Sequence, residues 1–345
     1  MERILSYPEA IREALDQEMT SDGSVILMGQ GVDDPKAILG STRGLKEKFG
    51  PVRVFDTPLA EDGMAGVAIG AALAGLRPVQ THIRMDFVLL AMNQIVNMAA
   101  KMHYMYGGEV FCPIVIRSLI GKSWGQGPQH SQSIYPLLMN IPGLRIVAPT
   151  TAYDAKGCLI HAIRDNNPVM IIEHRHLYYQ KGHVPEDSYT VPFGKGRTLS
   201  EGRDITLVGI SQMAIECLRA HQYLQDAGIS AEVIDPVCLS PLDTDLIAAS
   251  VLKTGNLIVV DNAWMTCGAG AEIIATLAER KIQANVHRMG FSPVPCPTTP
   301  TLEEHFYPDA KKIASQVFSM LRPERAAWIP SRELDIEEVE FKGPF

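Results

Sequence analysis

The sequence predicts an α/β protein in which a parallel sheet with helices on both faces is followed by a second α/β unit. Three observations carry this. Short apolar runs, many of them β-branched, recur along the chain and alternate with stretches whose apolar residues fall at helical spacing. One stretch, residues 62–75, is dense in alanine and glycine, small side chains that let a helix pack closely on its neighbour. The rhythm then breaks over residues 174–203, which hold Pro185, Pro192 and mixed charge, and resumes beyond them.

The strand-like runs come first at 25–28 and 52–55. Four more follow at 78–83, 113–116, 144–147 and 169–172. Each is short and continuously apolar, which suits strands buried on both faces. Helices are predicted over 62–75, 91–105 and 152–164, and they supply the crossovers that parallel strands need. The second series reads strand 204–210, helix 213–227, strand 231–234, helix 243–252, strand 257–260, helix 269–281 and strand 284–286. A last helix, 301–321, starts after the proline-rich stretch 293–300. The domains expected are 1–190 and 204–322, joined by a linker at 191–203 and followed by an acidic tail at 323–345. Nothing in the tail's pattern calls for structure.

Composition narrows the function classes. A chain of 345 residues fits about two domains. Glycine (28) and proline (23) follow no period, which excludes a collagen-like chain. The net charge of −8 and the lack of a basic stripe speak against a nucleic-acid partner. The start, Met1-Glu2-Arg3-Ile4-Leu5, is no signal peptide, and no run of about 18 apolar residues exists to enter a membrane. The six cysteines form no C-x-x-C, so neither a zinc site nor a redox motif is suggested, and free thiols in a reducing cytoplasm are expected.

Two segments could carry chemistry. Asp56-Thr57-Pro58-Leu59-Ala60-Glu61-Asp62-Gly63 follows a strand and opens the Ala/Gly helix. Ligands of open α/β sheets bind beyond the carboxyl ends of strands. A carboxylic acid there, in apolar company, can hold a proton and donate a hydrogen bond. The alternative is that Glu61 and Asp62 simply favour the helix N-terminus through its dipole. The second segment is the glycine-rich loop 118–133, which ends in His130-Ser131-Gln132-Ser133. Long irregular loops are often functional, and His130 can exchange protons near neutral pH. The alternative is that His130 and Ser131 cap a helix. Gly268-Ala269-Gly270 is a decoy for a dinucleotide fingerprint, since it lies too far from its strand and lacks the third glycine. His174-Arg175-His176 has no metal-ligand spacing and reads as a solvated loop.

The order of motifs is informative as a whole. Asp-Thr-Pro-Leu-Ala-Glu at 56–61 is followed by Gly-Val-Ala-Ile-Gly-Ala-Ala-Leu-Ala-Gly-Leu-Arg-Pro at 66–78 and by Asn93-Gln94-Ile95-Val96-Asn97. Then come His130-Ser131-Gln132-Ser133, Pro142-Gly143-Leu144, Asp154-Ala155-Lys156-Gly157, the run Ala162 to Pro168, and Val233-Ile234-Asp235-Pro236. Over residues 3–322 this series resembles the β-subunit of the thiamine-diphosphate-dependent decarboxylating component of 2-oxo-acid dehydrogenase complexes, of the pyruvate, branched-chain or acetoin type.

The resemblance implies a transketolase-like pyrimidine-binding domain followed by a transketolase C-terminal domain. It places the Glu61 carboxyl on a ring nitrogen of the cofactor's aminopyrimidine, where protonation favours the imino tautomer that activates the thiazolium. It sets Leu59 and Ile83 beside the cofactor and stacks Phe87 on the pyrimidine, a role that competes with that of an ordinary core phenylalanine. His130 is implied near the reacting centre. The backbone carbonyls of Ile114, Ala162, Ile163, Asp165 and Asn167 match a site for a structural potassium ion.

The family's metal-holding Gly-Asp-Gly is absent here, and Asn166-Asn167 stands without it. The diphosphate and its Mg2+ therefore fall to an α-subunit, in an α2β2 heterotetramer with the cofactor at the interface. The implied reaction is oxidative decarboxylation of a 2-oxo acid, with acyl transfer to the lipoyl group of an acyltransferase component. The competing readings are a two-component carboligase, or ketol- or acyl-transferring enzyme, without oxidation, and a scaffold that has lost its cofactor. The chain departs from the family pattern at Ile83, Arg84 and Met85, and Asn93 replaces the usual Asp. Arg84 either pairs with a substrate carboxylate or is a surface charge.

Overall fold

A computed structural model describes residues 3–34, 36–121 and 125–334. The chain divides into two compact units that meet between Phe193 and Gly194.

The first unit opens with β1 (Ile4–Ser6) and α1 (Tyr7–Ser21), followed by β2 (Val25–Gly29), α2 (Leu45–Phe49), β3 (Val54–Asp56), α3 (Glu61–Leu73) and β4 (Arg77–His82). A 3-10 segment, Met85–Ala91, and a π-helical one, Asn93–Ala99, lead into α4 (Ala100–Met105). Then come β5 (Val115–Ile120), α5 (Pro136–Met139), β6 (Arg145–Val147), α6 (Ala152–Arg164), β7 (Val169–His174), a 3-10 turn Arg175–Tyr179, and β8 (Lys181–His183). Six strands lie in the order β6-β7-β5-β4-β2-β3, all parallel. β1 and β8 form a separate antiparallel ribbon. Every residue of β2, β5 and β7 is buried, which explains why these strands read as apolar runs rather than alternations.

One polar cluster sits inside this unit. Arg117 on β5 grips Glu173 on β7 with two bonds, Nε to Oε1 at 2.6 Å and Nη2 to Oε2 at 3.0 Å. Its Nη2 also donates to Ser41 Oγ at 2.9 Å, and the Tyr178 hydroxyl donates to Glu173. Both charges are fully buried, so this set of partners is what makes their burial tolerable.

The second unit comprises β9 (Arg197–Ser200), β10 (Ile205–Gly209), α7 (Gln212–Asp226), β11 (Ala231–Asp235), β12 (Cys238–Ser240), α8 (Thr244–Thr254), β13 (Asn256–Trp264), α9 (Ala269–Glu279), β14 (Asn285–Phe291), α10 (Pro300–Phe306) and α11 (Ala310–Leu321). Its sheet runs β14-β13-β10-β11-β9, parallel except for β9. Cys217, Ala220 and Leu224 of α7 meet Ile313 and Val317 of α11 in its core.

The structure departs from the sequence reading in four places. The single helix expected at 301–321 is two, because Pro308 between α10 and α11 cannot continue a helix and Asp309 caps the second. The stretch 91–105 is not one α-helix but passes through 3-10 and π turns. The expected linker 191–203 contains β9, which pairs antiparallel with β11. Of the expected tail, Trp328 packs its ring on Phe318 at 5.2 Å, while residues 335–345 lie outside the described residues.

Candidate functional site

The site is built at the carboxyl ends of the first unit's strands. β2 ends on Gly29, where a Cβ would stand 2.4 Å from the Thr81 carbonyl oxygen and φ is +140°. Only glycine lets β2 and β4 approach so closely. The next residue, Gln30, uses this closeness. Its backbone N–H donates to the Thr81 carbonyl at 3.2 Å, and its side-chain Nε2 donates to Glu61 Oε1 at 2.8 Å. Glu61 is the first residue of α3 and is only 7% exposed. The helix N-terminus favours a carboxylate at this position. The bond from Gln30, 31 residues earlier, adds a directed partner that a mere dipole role would not need.

The other expected residues fall around this point. Leu59, two residues before Glu61, is 82% exposed. Ile83 is half-buried, its Cδ1 3.7 Å from where a Cβ on Gly31 would sit. Phe87 is half-buried on the 3-10 segment, and its ring meets that of His130 edge to face, with centroids 5.4 Å apart and planes at 88°. The structure thus forms two small groups, Gln30 with Glu61 and Phe87 with His130. Among the described residues no hydrogen bond or ring contact joins the two.

A clasp fixes the His130 loop. Buried Asp86 accepts from the Gln132 backbone N–H at 3.1 Å and from Gln132 Nε2 at 3.0 Å. Burial pushes the Asp86 carboxyl up from its ordinary value, and the bonds from Gln132 oppose this. Arg84 is only 9% exposed, which corrects the reading of it as a surface charge. Desolvation lowers its guanidinium, and Asp86 pulls it back up. The solvated-loop reading of His174-Arg175-His176 is corrected too. Arg175 is 1% exposed and donates to Gly121 O and to Gln126 Oε1, the latter at 2.8 Å.

The five carbonyls expected to hold an ion already have protein donors on four of them. Ile114 O accepts from Val169 N at 3.0 Å, and Ala162 O from Asp165 N at 3.3 Å. Arg77 Nη1 donates to Ile163 O at 2.9 Å and to Asp165 O at 3.0 Å. Among the described residues no group of three or more His, Cys, Asp or Glu is placed to hold a metal ion. No described helix is long and apolar enough to cross a membrane.

Sequence reasoning missed Gln30 and His82. His82 is the last residue of β4, 2% exposed, and neither ring nitrogen has a hydrogen-bond partner among the described residues. Desolvation lowers its pKa to about 4, against the pull of Glu61. Both residues stand at the carboxyl end of a predicted strand, so the positional rule that singled out Glu61 would have found them.

Residues 4–181 match the transketolase pyrimidine binding domain, and residues 194–313 match the transketolase C-terminal domain. The chain is 43% identical over 328 residues to the acetoin:2,6-dichlorophenolindophenol oxidoreductase subunit beta of Cupriavidus necator, covering 91% of this chain and 97% of that one. It is 42% identical over 316 residues to the pyruvate dehydrogenase E1 component subunit beta of Rickettsia bellii, with coverage of 91% and 97%. A solved structure described as split gene transketolase, inactive beta4 tetramer, superposes with a TM-score of 0.75 over 93% of this chain and 100% of that one. At 23% identity it speaks for the fold alone. Matching domains along most of the chain, together with relatives of this identity and coverage, place the protein in the family of β subunits of thiamine-diphosphate-dependent E1 components, the type found in pyruvate dehydrogenase and acetoin oxidoreductase.

Proposed function

We propose that this chain supplies the aminopyrimidine half of the site of a two-chain enzyme, with an α-subunit holding the diphosphate and its Mg2+ in an α2β2 assembly. The reaction is the oxidative decarboxylation of a 2-oxo acid, with the acyl group passed to a lipoyl domain. The observation that carries the reading is Glu61, buried at the start of α3 and oriented by Gln30. These residues fit the ring end of thiamine diphosphate. A carboxyl sits at the start of α3, just beyond the end of β3, a flat aromatic side chain is available in Phe87, and an imidazole lies against that ring. When bound, the cofactor supplies an electron sink for the carbon that loses carbon dioxide.

The chain's own residues do the rest. Gln30 donates to Oε1, so a proton on the carboxyl belongs on Oε2, the oxygen left to face a ring nitrogen. Phe87 offers a stacking face, and His130 closes one edge of it while bringing two ring nitrogens that can take or give a proton. Leu59, exposed here, would be covered in the two-chain assembly, and Ile83, half-buried here, would border the cofactor. A structural potassium ion at the carbonyls of Ile114, Ala162, Ile163, Asp165 and Asn167 belongs to the same reading, since a carbonyl oxygen keeps a second lone pair. A melting temperature that does not respond to potassium would give that role to Arg77 alone. None of the six cysteines forms a disulfide, as suits a reducing compartment such as the cytoplasm.

The test is co-expression with the α partner, followed by a panel of 2-oxo acids and acetoin with a dye acceptor, with and without a lipoyl domain. Dye reduction and lipoyl acylation support the reading. Carbon–carbon ligation without either would move the chain to the non-oxidative carboligase class. Tight, magnesium-dependent binding of thiamine diphosphate by this chain alone would overturn the shared site.

A further inference from the structure

The 3-10 segment Met85–Ala91 and the loop that carries His130 meet through two consecutive residues. Phe87 takes the His130 ring edge to face, and Asp86, the residue before it, takes Gln132, two residues beyond His130. The carboxylate grips Gln132 at two atoms, its backbone N–H at 3.1 Å and its Nε2 at 3.0 Å, both on Oδ1. Hydrogen bonds to a charged acceptor are the stronger kind, and two of them on one residue fix its backbone and its side chain together. Asp86 is 6% exposed, so a carboxylate is kept where burial penalises its charge.

His130 is lightly held by comparison. It is half-buried, its ring makes no hydrogen bond among the described residues, and its backbone N–H reaches the Gly127 carbonyl at 3.4 Å. An edge-to-face pair contributes roughly 0.5–1.5 kcal/mol and by itself leaves a ring room to slide and tilt. Earlier in the loop, Arg175 holds Gly121 O and Gln126 Oε1. Over residues 127–133, the two bonds from Gln132 to Asp86 are the hydrogen bonds that join the loop to another element, among the described residues. The anchor thus lies two residues from the imidazole, on the same short segment that presents the ring it touches.

Taking His130 as the imidazole that serves the reacting centre, we propose that Asp86 is a positioning residue for it, setting through Gln132 where that imidazole stands against the Phe87 ring. Two contacts from neighbouring residues, one polar and one aromatic, define a place and an orientation that neither defines alone. Proton transfer needs that precision, since a displacement of about 1 Å can cost two orders of magnitude in rate. Gln132 only donates to Asp86, so the role needs an oxygen at that place, and the charge strengthens a grip that a neutral amide oxygen also provides.

The test is a double-mutant cycle of Asp86→Ala and His130→Ala in the assembled two-chain holoenzyme. The substrate is the panel member that the parent enzyme turns over fastest. Dye reduction is read in single turnovers per cofactor-loaded site at saturating thiamine diphosphate, over hours where a variant is slow. Alone, Asp86→Ala should slow the reaction about tenfold or more. In the His130→Ala background it should slow it by less than about twofold, because the group it positions is gone. Asp86→Asn, which keeps the oxygen, should recover most of the parent rate. Gln132→Met, which leaves Asp86 in place and removes the side-chain donor, should reproduce part of the loss with the same dependence on His130. An Asp86→Ala loss of equal size with and without His130 overturns the proposal, and so does an Asp86→Asn as slow as Asp86→Ala. If Asp86→Ala does not assemble, Gln132→Met carries the cycle, and equal losses there overturn it. His130→Ala at the parent rate refutes the reading of His130 itself and the proposal with it, whereas a slow His130→Ala with equal losses removes only the role of Asp86.

Discussion

The imidazole of His130 stands edge-on to the ring of Phe87, with centroids 5.4 Å apart and planes at 88°. The positive rim of one ring thus meets the negative face of the other, and each limits the other's rotation. Replacing Phe87 should therefore do two things at once. Phe87→Ala removes a stacking surface and frees His130, and cofactor affinity in the holoenzyme should fall about tenfold, from a contact worth roughly 1 kcal/mol plus the lost area. Phe87→Tyr should stay near the parent. Calorimetric titration of thiamine diphosphate into the assembled enzyme decides between these outcomes.

Gln30 contributes a single hydrogen bond to Glu61, at 2.8 Å. Gln30→Leu keeps the size and removes the donor. Turnover should drop about tenfold or more, since a bond to a carboxyl contributes roughly 1.5–3 kcal/mol, while the melting temperature stays within a few degrees. Steady-state rates beside thermal melts read this directly.

Arg117 and Glu173 are each almost wholly buried and bonded to one another twice. Glu173→Leu strands a guanidinium in the core and should cost about 3–5 kcal/mol in denaturant unfolding. Adding Arg117→Met should recover part of that loss, because the pair's removal leaves no orphan charge. A double mutant less stable than Glu173→Leu would contradict this account of the core.

The His82 imidazole titrates near 4 in the folded chain, against an ordinary 6.5. Between those values the unfolded chain takes up a proton that the folded chain does not. Stability should therefore fall as the pH drops from about 6.5 toward 4, by up to about 1.4 kcal/mol per unit, and this group adds no dependence above that window. His82→Leu should shrink the stability difference between pH 7 and pH 5 by about 2 kcal/mol. Urea denaturation at the two pH values measures it.

Much of the first sheet was legible because parallel strands covered on both faces leave continuous apolar runs, as at Val25–Gly29 and Val169–His174. The place of Glu61 at the start of a helix was legible because the Ala/Gly-rich run follows a strand. What stayed hidden depends on partners far along the chain. Nothing local marks Arg77 as the donor to Ile163 and Asp165, or Arg175 as buried against Gly121 and Gln126. Gln30 looks like an ordinary polar residue beyond a strand end until the fold brings it onto Glu61. The break at Pro308 was written in the sequence, and the apolar periodicity on either side of it masked the signal.

The α3 helix and the segment packed upon it have one further feature. Val67 and Leu73 on α3, and Leu89, Leu90, Met98, Tyr104, Met105 and Tyr106 beyond it, point outward with large apolar surfaces. Monomers seldom leave so many such side chains in water. Left uncovered, such side chains favour self-association, so the chain on its own is expected to be less soluble than the chain with those side chains covered.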